Sequence, residues 1–226
     1  MSRVWSIVTV LVPVWLAACS GADNFEPYGA ADTGGGVALS PSARRVSQIA
    51  ERNGDRDYIM LDKAHGTIIA FEHGRPTFSG RALTGEYPVD TILPDAFAKS
   101  FHETSTLKYK VTPAGRYTVS LGFDPAYGET LDVNEIQGKD WDIAIHKVWL
   151  GAPWEHRDAR LRSPGDQDKH ITYGCIDVDG PTMKGLLERV HDEEATPLYI
   201  LPQDETLIIK FFQPSDAVRR VSSPAG

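Results

Sequence analysis

Residues 171–178 of this 226-residue chain, ITYGCIDV, place a glycine and a cysteine directly before an apolar, strand-like run. Glycine has no side chain, so Gly174 would let a carbonyl group approach the thiol of Cys175 and the neighbouring backbone N–H groups. Such N–H groups are natural donors to the oxyanion that forms during acyl transfer. The segment therefore indicates a nucleophilic cysteine at the start of a core strand.

The cysteine needs a base, because the thiolate is the nucleophile and a free thiol is mostly protonated near neutral pH. His146 is the best candidate, since it follows the apolar residues 143–145 and would project from the end of a core strand. The backbone carbonyl of Lys147 could orient its ring. His170 is the main rival, although its polar neighbours favour a loop residue or a substrate contact.

The remaining histidines are weaker candidates. His156, like His170, is expected to be a loop residue or a substrate contact. His65, His73 and His102 lie in turn-like or polar stretches and are expected at the surface. A zinc site built from His146, His170 and Cys175 would use suitable ligand types, but no short-spaced ligand pair supports it. We therefore predict no metal and no cofactor.

The rest of the chain predicts a mainly β fold, a barrel or sandwich with a few helices. Short apolar or alternating runs separated by turn residues indicate an antiparallel β unit. These runs are 58–61, 67–72, 77–83, 108–111, 116–121 and 142–148, and the runs 198–201 and 206–212 close the set. Helices are predicted at 43–52, with Ser40 as its cap and Pro41 at its first position, and at 181–190.

Four features in order resemble the catalytic domain of the L,D-transpeptidases, the YkuD-type domain. A histidine follows an apolar strand at 145–146, and a Gly-Cys pair with an apolar residue behind it stands at 174–177. A strand–turn–strand unit ends in the Thr-Gly pair 84–85, and the Thr-Pro-x-Gly turn 112–115 leads into a strand. The resemblance covers about 57–201.

The resemblance implies acyl transfer on peptidoglycan stem peptides. The Cys175 thiolate would attack the carbonyl of the third stem residue, release D-alanine and form a thioester, and an amine of another stem or protein would take the acyl group. His146 would act as base and acid, and Lys147 would orient it through its carbonyl. The N–H groups of Gly174 and Cys175, with Tyr173, would hold the oxyanion.

Two alternatives stay open. The same Cys–His pair could pass the acyl group to water, as a carboxypeptidase or as an enzyme that cuts links between proteins and the wall. A non-catalytic wall-binding lipoprotein could also retain the fold. The feature that keeps the second alternative open is Asp177, which stands where the family usually has Asn or Arg. Its negative charge would raise the pKa of the neighbouring thiol.

Other departures from the family concern the walls of the site. Thr172-Tyr173 replace the Ser-His pair of many members, so Tyr173 would shape the pocket or offer its hydroxyl. The segment 154–169 is longer than in compact members, and it is either a lid whose basic residues meet substrate carboxylates or a solvated loop. Those basic residues are Arg157, Arg160, Arg162 and Lys169. The predicted substrate contacts are Thr172, His170, Asp177, Trp149 and Arg162; Trp141, Trp149 and Trp154 are expected in the core or pocket wall.

The N-terminus predicts export and lipid anchoring. Residues 1–18 read as a signal peptide, and LAAC at 16–19 resembles the lipobox of bacterial lipoproteins, with Cys19 as the lipidated residue. An ordinary signal with an incidental Cys19 is the alternative. Ser20 after the cysteine favours the outer membrane, so we expect the protein on the periplasmic side of the envelope, with a membrane as partner through the lipid.

The predicted domains follow from composition. Residues 19–55 would form a flexible, lipid-anchored tether with a short helix, 56–212 the catalytic domain, and 213–226 a polar tail. The chain has 23 Lys and Arg against 31 Asp and Glu, a net charge of −8, which argues against a nucleic-acid partner. Two cysteines exclude a disulfide framework. The sequence leaves the oligomeric state open.

Overall fold

The computed structural model describes residues 37–99, 103–137, 142–190 and 195–212. The predicted signal peptide at 1–18, the lipidation site Cys19, His102, Trp141 and the tail at 213–226 lie outside the described residues. Within them the chain forms nine strands, four α-helices and several short 3-10 helices. The prediction of a mainly β fold with a few helices is confirmed.

The strands and helices have the following bounds. The strands are β1 (Tyr58–Asp62), β2 (Thr67–Glu72), β3 (Arg75–Gly85), β4 (Gly115–Asp124), β5 (Gly128–Asn134), β6 (Ala144–Lys147), β7 (His170–Thr172), β8 (Ile176–Val178) and β9 (Thr196–Ile200). The helices are α1 (Pro41–Asn53), α2 (Arg157–Arg162), α3 (Gly180–Leu187) and α4 (Ile208–Phe212).

The sheet closes on itself. Its strand order is β2-β1-β9-β4-β5-β6-β8-β3-β7, and a further pairing of β2 with β3 completes the ring, with β7 beside the end of β3. Most pairings are antiparallel, but three are parallel: β6 with β8, β1 with β9, and β3 with β7. Closure leaves few exposed strand edges, and the parallel β6–β8 pair lies where the sequence predicts the site.

Two hydrophobic clusters lie on opposite faces of β1, β2 and β9. Along β1, Ile59 and Leu61 contact the larger cluster, whereas Tyr58 and Met60 contact the smaller one. This alternation is the period-two pattern of a strand buried on both faces. Helices α1 and α4 cover the smaller cluster, and residues of α3 pack into the larger one.

Helix α1 is part of the folded body. The Ser40 hydroxyl accepts a hydrogen bond from the amide of Ala43 at 3.0 Å, and Gly54 ends the helix in the left-handed conformation with a φ of +83°. Val46 and Ile49 are buried against the sheet. The sequence places this helix within a flexible tether, but its apolar face is packed in the smaller cluster.

Two stretches predicted as strands are not strands. Residues 108–111 contain a 3-10 turn, Leu107–Tyr109, and then extended chain, because the Lys110 carbonyl bonds to the amide of Tyr87 instead of to a neighbouring strand. Residues 206–212 form a 3-10 turn and α4, since Ile208 and Phe212 are four positions apart and pack on one side of a helix. Conversely, β5 was not predicted.

No helix among the described residues is long and apolar enough to cross a membrane.

Docking of α1 is testable by the stability of the domain. We expect Ile49→Ala to lower the free energy of unfolding by about 3 kcal/mol, because the side chain is buried and its removal leaves a cavity. Gln48→Ala, on the exposed side of the same helix, should change it by less than about 0.5 kcal/mol. Urea unfolding followed by circular dichroism measures both. Equal midpoints for the two variants would show that α1 does not unfold with the sheet.

Candidate active site

The pairing of β6 with β8 decides which side chains face each other. Ile145 pairs with Ile176 and His146 pairs with Asp177, so each pair projects to one face of the sheet. The two isoleucines are fully buried in the larger cluster. His146 and Asp177 therefore project to the opposite face, and Cys175, two positions before Asp177, precedes β8 on that side.

A cavity of about 670 Å³ opens on this face. It holds six of the predicted site residues, which are His146, Trp149, Thr172, Tyr173, Cys175 and Asp177. Its other walls come from β4, β5, the turn between them and the neighbouring loops, and are formed by Lys99, Tyr109, Phe123, Asp124, Tyr127, Thr130, Asp132, Asp142, Ala144 and Arg157.

His146 is held on three sides and its side chain is only 3% exposed. Nδ1 lies 2.8 Å from the carbonyl oxygen of Lys147, the contact expected from the sequence. The ring of Tyr127 stacks on the imidazole with the centroids 3.9 Å apart. Because Nδ1–H donates to that carbonyl, Nε2 of the neutral ring carries the lone pair. Nε2 lies 3.5 Å from Oδ1 of Asp177.

Asp177 is fully buried and is paired with a cation from the 154–169 segment. Nη1 of Arg157 donates to its Oδ2 at 2.8 Å, and Nε of the same arginine bonds to Glu155 at 2.6 Å. Burial raises the pKa of the Asp177 carboxyl, and His146 in its protonated form and the charge of Arg157 oppose that rise. Oδ1 has no hydrogen-bond partner.

The thiol of Cys175 rests in its protonated form. Burial raises its pKa to about 12, a hydrogen bond with the backbone of Ala144 lowers it, and the charges of Asp177 and Asp142 add to the rise. From the sequence, the charge of Asp177 is expected to raise the pKa of this thiol, whereas in the structure burial is the largest cause of the rise. Among the described residues there is no hydrogen bond between this thiol and the ring of His146, so the resting thiol keeps its proton.

The loop that carries the thiol is braced by two threonine hydroxyls. Oγ1 of Thr172 donates to the carbonyl of Cys175 at 2.6 Å and accepts from the amide of Gly174 at 3.1 Å. Oγ1 of Thr112 donates to the carbonyl of Gly174 at 2.7 Å and accepts from the amide of Gly85 at 2.8 Å. The Thr-Gly and Thr-Pro-x-Gly motifs noted in the sequence thus fix the backbone before the cysteine.

These contacts bear on two expectations. Thr172, predicted to contact substrate, lines the cavity, but it is buried and its hydroxyl is bonded within the loop. The amide of Gly174, predicted as an oxyanion donor, is already bonded to Thr172, which leaves the amide of Cys175 from the predicted pair. Gly174 itself has a φ of +131°, and a Cβ there would lie 2.9 Å from the carbonyl oxygen of Val111. A larger residue would therefore be strained and crowded at this position.

His170 and Arg162 lie away from the cavity. Nδ1 of His170 is 2.9 Å from the hydroxyl of Thr84, and burial lowers the pKa of the ring. Arg162 is 49% exposed and pairs with Asp158 one turn earlier in α2. The prediction that these two residues contact substrate is not supported by their positions, because neither lines the cavity.

The basic residues of the 154–169 segment are engaged within the protein. Lys169 is fully buried, and its ammonium group donates to three carbonyls at the end of α2, those of Arg160, Leu161 and Ser163. Arg160 donates to the carbonyl of Glu155. These bonds lie within the segment, whereas the bond from Arg157 to Asp177 ties it to β8. Neither Lys169 nor Arg157 is free to meet a substrate carboxylate as expected for a lid.

Sequence reasoning missed Tyr127 and the pairing role of Arg157. Tyr127 lies in the turn between β4 and β5, and without a predicted β5 nothing in the sequence indicates that this turn lies beside His146. Trp149, predicted as pocket wall, lines the cavity with Arg157 5.8 Å from its ring centre. Trp154 is 73% exposed and does not line it.

No group of three or more His, Cys, Asp and Glu side chains that could hold a metal ion occurs among the described residues.

Residues 56–200 match the family model of the L,D-transpeptidase catalytic domain. The chain belongs to this family. The matched range begins just before β1 and ends with β9, so it contains all nine strands and every cavity-lining residue. Helices α1 and α4 lie outside it. No curated protein sequence matches the chain significantly.

Solved structures with a related shape share little sequence with this chain. The catalytic domain of an Enterococcus faecium L,D-transpeptidase is 16% identical, with 64% of this chain and 96% of that one covered and a TM-score of 0.38. Bdellovibrio bacteriovorus Bd1075 is 16% identical, with 75% and 56% covered and a TM-score of 0.41. An L,D-transpeptidase from Mycobacterium smegmatis is 15% identical, with 64% and 58% covered and a TM-score of 0.37.

The chain spans about half the length of two further solved structures that it matches. They are the Ldtfm-avibactam carbamoyl enzyme and an Enterococcus faecium L,D-transpeptidase mutant, of which the chain covers 49% and 50%.

The protonation of the thiol makes a prediction about pH. In His146→Ala, alkylation of Cys175 by iodoacetamide should be slow at neutral pH and rise about tenfold per pH unit up to about pH 10, because the thiolate fraction grows that way below a pKa of about 12. Mass spectrometry of the Cys175 peptide measures the rate, with free cysteine as the reference that levels off earlier. A plateau below about pH 9 would contradict the effect of burial.

Proposed function

We propose that this cavity is the active site of a peptidoglycan L,D-transpeptidase that acts in cell wall biogenesis. The observation that carries the proposal is the placement of His146, on β6, and Cys175, directly before the paired strand β8, in one cavity within the matched family domain. Cys175 is the nucleophile, and a stem tetrapeptide is the acyl donor. No step requires a cofactor.

The reaction follows as two acyl transfers. The proton of the Cys175 thiol passes to Nε2 of His146 while sulfur attacks the carbonyl carbon of the third stem residue. The tetrahedral intermediate collapses, His146 returns the proton to the leaving amine, and D-alanine departs. A thioester remains on the cysteine. An amine of a second stem, or of a protein, then attacks the thioester carbonyl and restores the thiol.

The developing oxyanion needs donors at the mouth of the loop. The amide of Cys175 is the first candidate, since the amide of Gly174 bonds to Thr172. The half-exposed Tyr173 is the second, and its ring lies 4.2 Å from the ammonium group of Lys110. That lysine forms an ion pair with Glu86 at 2.6 Å, so the Tyr173 ring packs against a fixed side chain. Two such donors match the requirement of an oxyanion hole.

The charge of the cavity suits a substrate that carries amines. Four carboxylates line it, those of Asp177, Asp124, Asp132 and Asp142, against two cations, Lys99 and Arg157, of which Arg157 is paired with Asp177. The carboxylates would favour a cationic amino group over a second carboxylate at this wall. This supports an amine as the acyl acceptor, and the experiment below decides between an amine and water.

The proposal also concerns where the protein is held in the cell envelope. The LAAC sequence at 16–19 and the Gly-rich stretch up to residue 39 would tether the domain through a lipid on Cys19 to the periplasmic face of the outer membrane. Because α1 begins at Pro41 and packs on the sheet, the tether would end at about that residue rather than at residue 55.

The proposal predicts products that depend on the thiol. A form of the protein starting at Ser20 is incubated with purified tetrapeptide muropeptides, beside a Cys175→Ala control of the same length, and the products are read by mass spectrometry. We expect dimers that lack one D-alanine in the wild-type sample only. Shortened monomers in that sample alone would identify a hydrolase. Identical mixtures in both samples would refute the tetrapeptide as donor.

A further inference from the structure

The geometry points to Asp177 as a positioning residue that stabilises protonated His146, with Arg157 as the cation that holds its carboxylate in place. This inference rests on the proposed function, because it concerns the proton that Cys175 must lose. It assigns a role to a carboxylate where the family usually has Asn or Arg, and to an arginine from the long 154–169 segment.

The first observation is an acceptor without a donor. Oδ1 of Asp177 is buried, has no hydrogen-bond partner, and lies 3.5 Å from Nε2 of His146. Since Nδ1–H of the ring donates to the Lys147 carbonyl, Nε2 of the neutral ring presents a lone pair to this oxygen. Two lone pairs face each other, and an unsatisfied acceptor in a buried site is unfavourable.

Transfer of one proton satisfies both atoms. The S–H bond of Cys175 breaks, its electron pair stays on sulfur, and an N–H bond forms at Nε2 of His146. That hydrogen then lies between Nε2 and the free oxygen of Asp177, while the other ring nitrogen keeps its bond to Lys147. The carboxylate gains its missing donor only after the proton has moved. An interaction of this kind lowers the barrier because it is absent from the resting state.

The second observation is the way the carboxylate is fixed. Arg157 donates to Oδ2 at 2.8 Å, which leaves Oδ1 directed at the ring. The guanidinium is in turn held by Glu155 at 2.6 Å and lies 5.8 Å from the ring centre of Trp149. A buried carboxylate without such a cation would take up a proton itself. The long segment therefore supplies a charge that the site needs.

A purely structural ion pair is the competing explanation, and a second substitution separates the two. Asp177→Asn removes the carboxylate charge but leaves Arg157 buried without its main partner, which alone could disturb the fold. The double variant Asp177→Asn with Arg157→Gln removes both charges and so removes that disturbance. Asp158→Asn, on the exposed side of the same segment and outside the cavity, is the matched control.

Full-length proteins are compared in two assays. The first is D-alanine release from the tetrapeptide, analysed as separate kcat and KM values. We expect Asp177→Asn to lower kcat about 100-fold with little change in KM, as for a group that acts only after proton transfer. The double variant should remain as slow, and Asp158→Asn should match the wild type.

The second assay is alkylation of the Cys175 peptide by iodoacetamide at neutral pH, which requires loss of the same proton but no peptidoglycan. We expect at least about tenfold slower alkylation in both Asp177 variants, because protonated His146 loses its support. The direct effect of the Asp177 charge, which raises the pKa of the thiol, would by itself make alkylation faster in these variants. Wild-type rates in Asp177→Asn, or recovery of both rates in the double variant, would overturn the inference. If the wild type releases no D-alanine, the proposed function fails, and the alkylation rates still decide the role of Asp177.

Discussion

The parallel pairing of two short strands, β6 and β8, is the constraint on which the site depends. Its register sets Ile145 against Ile176 on the core face, and the same register sets His146 against Asp177 on the other face. A shift by one residue would turn both polar side chains into the apolar core. The burial of the two isoleucines therefore fixes the position of the histidine, the carboxylate and the thiol beside it.

The charged side chains beside His146 and Asp177 form a connected row. Glu155 and Asp177 flank Arg157, and the free oxygen of Asp177 faces His146. Isolated buried charges are costly, so each member is tolerated only through its neighbours. The row joins the 154–169 segment to the strand that follows Cys175. Within that segment, the ammonium group of Lys169 binds the carbonyls at the end of α2 and so braces the fold of the segment.

Local sequence signals identified the reacting pair but not its supports. Gly174-Cys175 and His146 stand next to apolar runs, so the sequence predicts that they lie at strand ends. The order of these motifs along the chain resembles that of the family, which implies their roles. Arg157 could not be assigned to Asp177 because their contact spans 20 positions and the segment between them has no regular pattern. Tyr127 was missed together with β5, whose alternation is interrupted by polar residues.

The errors have equally local causes. Apolar residues at 108–111 and 206–212 have strand-like composition, but hydrogen bonds to Tyr87 and the helical spacing of Ile208 and Phe212 decide otherwise. The sequence predicts the amide of Gly174 as an oxyanion donor, but in the folded loop this amide donates to the hydroxyl of Thr172. Such side chain to backbone contacts depend on the folded loop and leave no periodic signal in the sequence.

The role of Cys175 as nucleophile is tested most directly by the intact mass of the protein quenched in acid during turnover of a tetrapeptide stem. We expect a covalent adduct equal in mass to the stem without its terminal D-alanine, located on Cys175 by peptide mapping and absent from Cys175→Ala. Release of D-alanine without any such adduct, or an adduct on another residue, would contradict the assignment of Cys175 as the nucleophile.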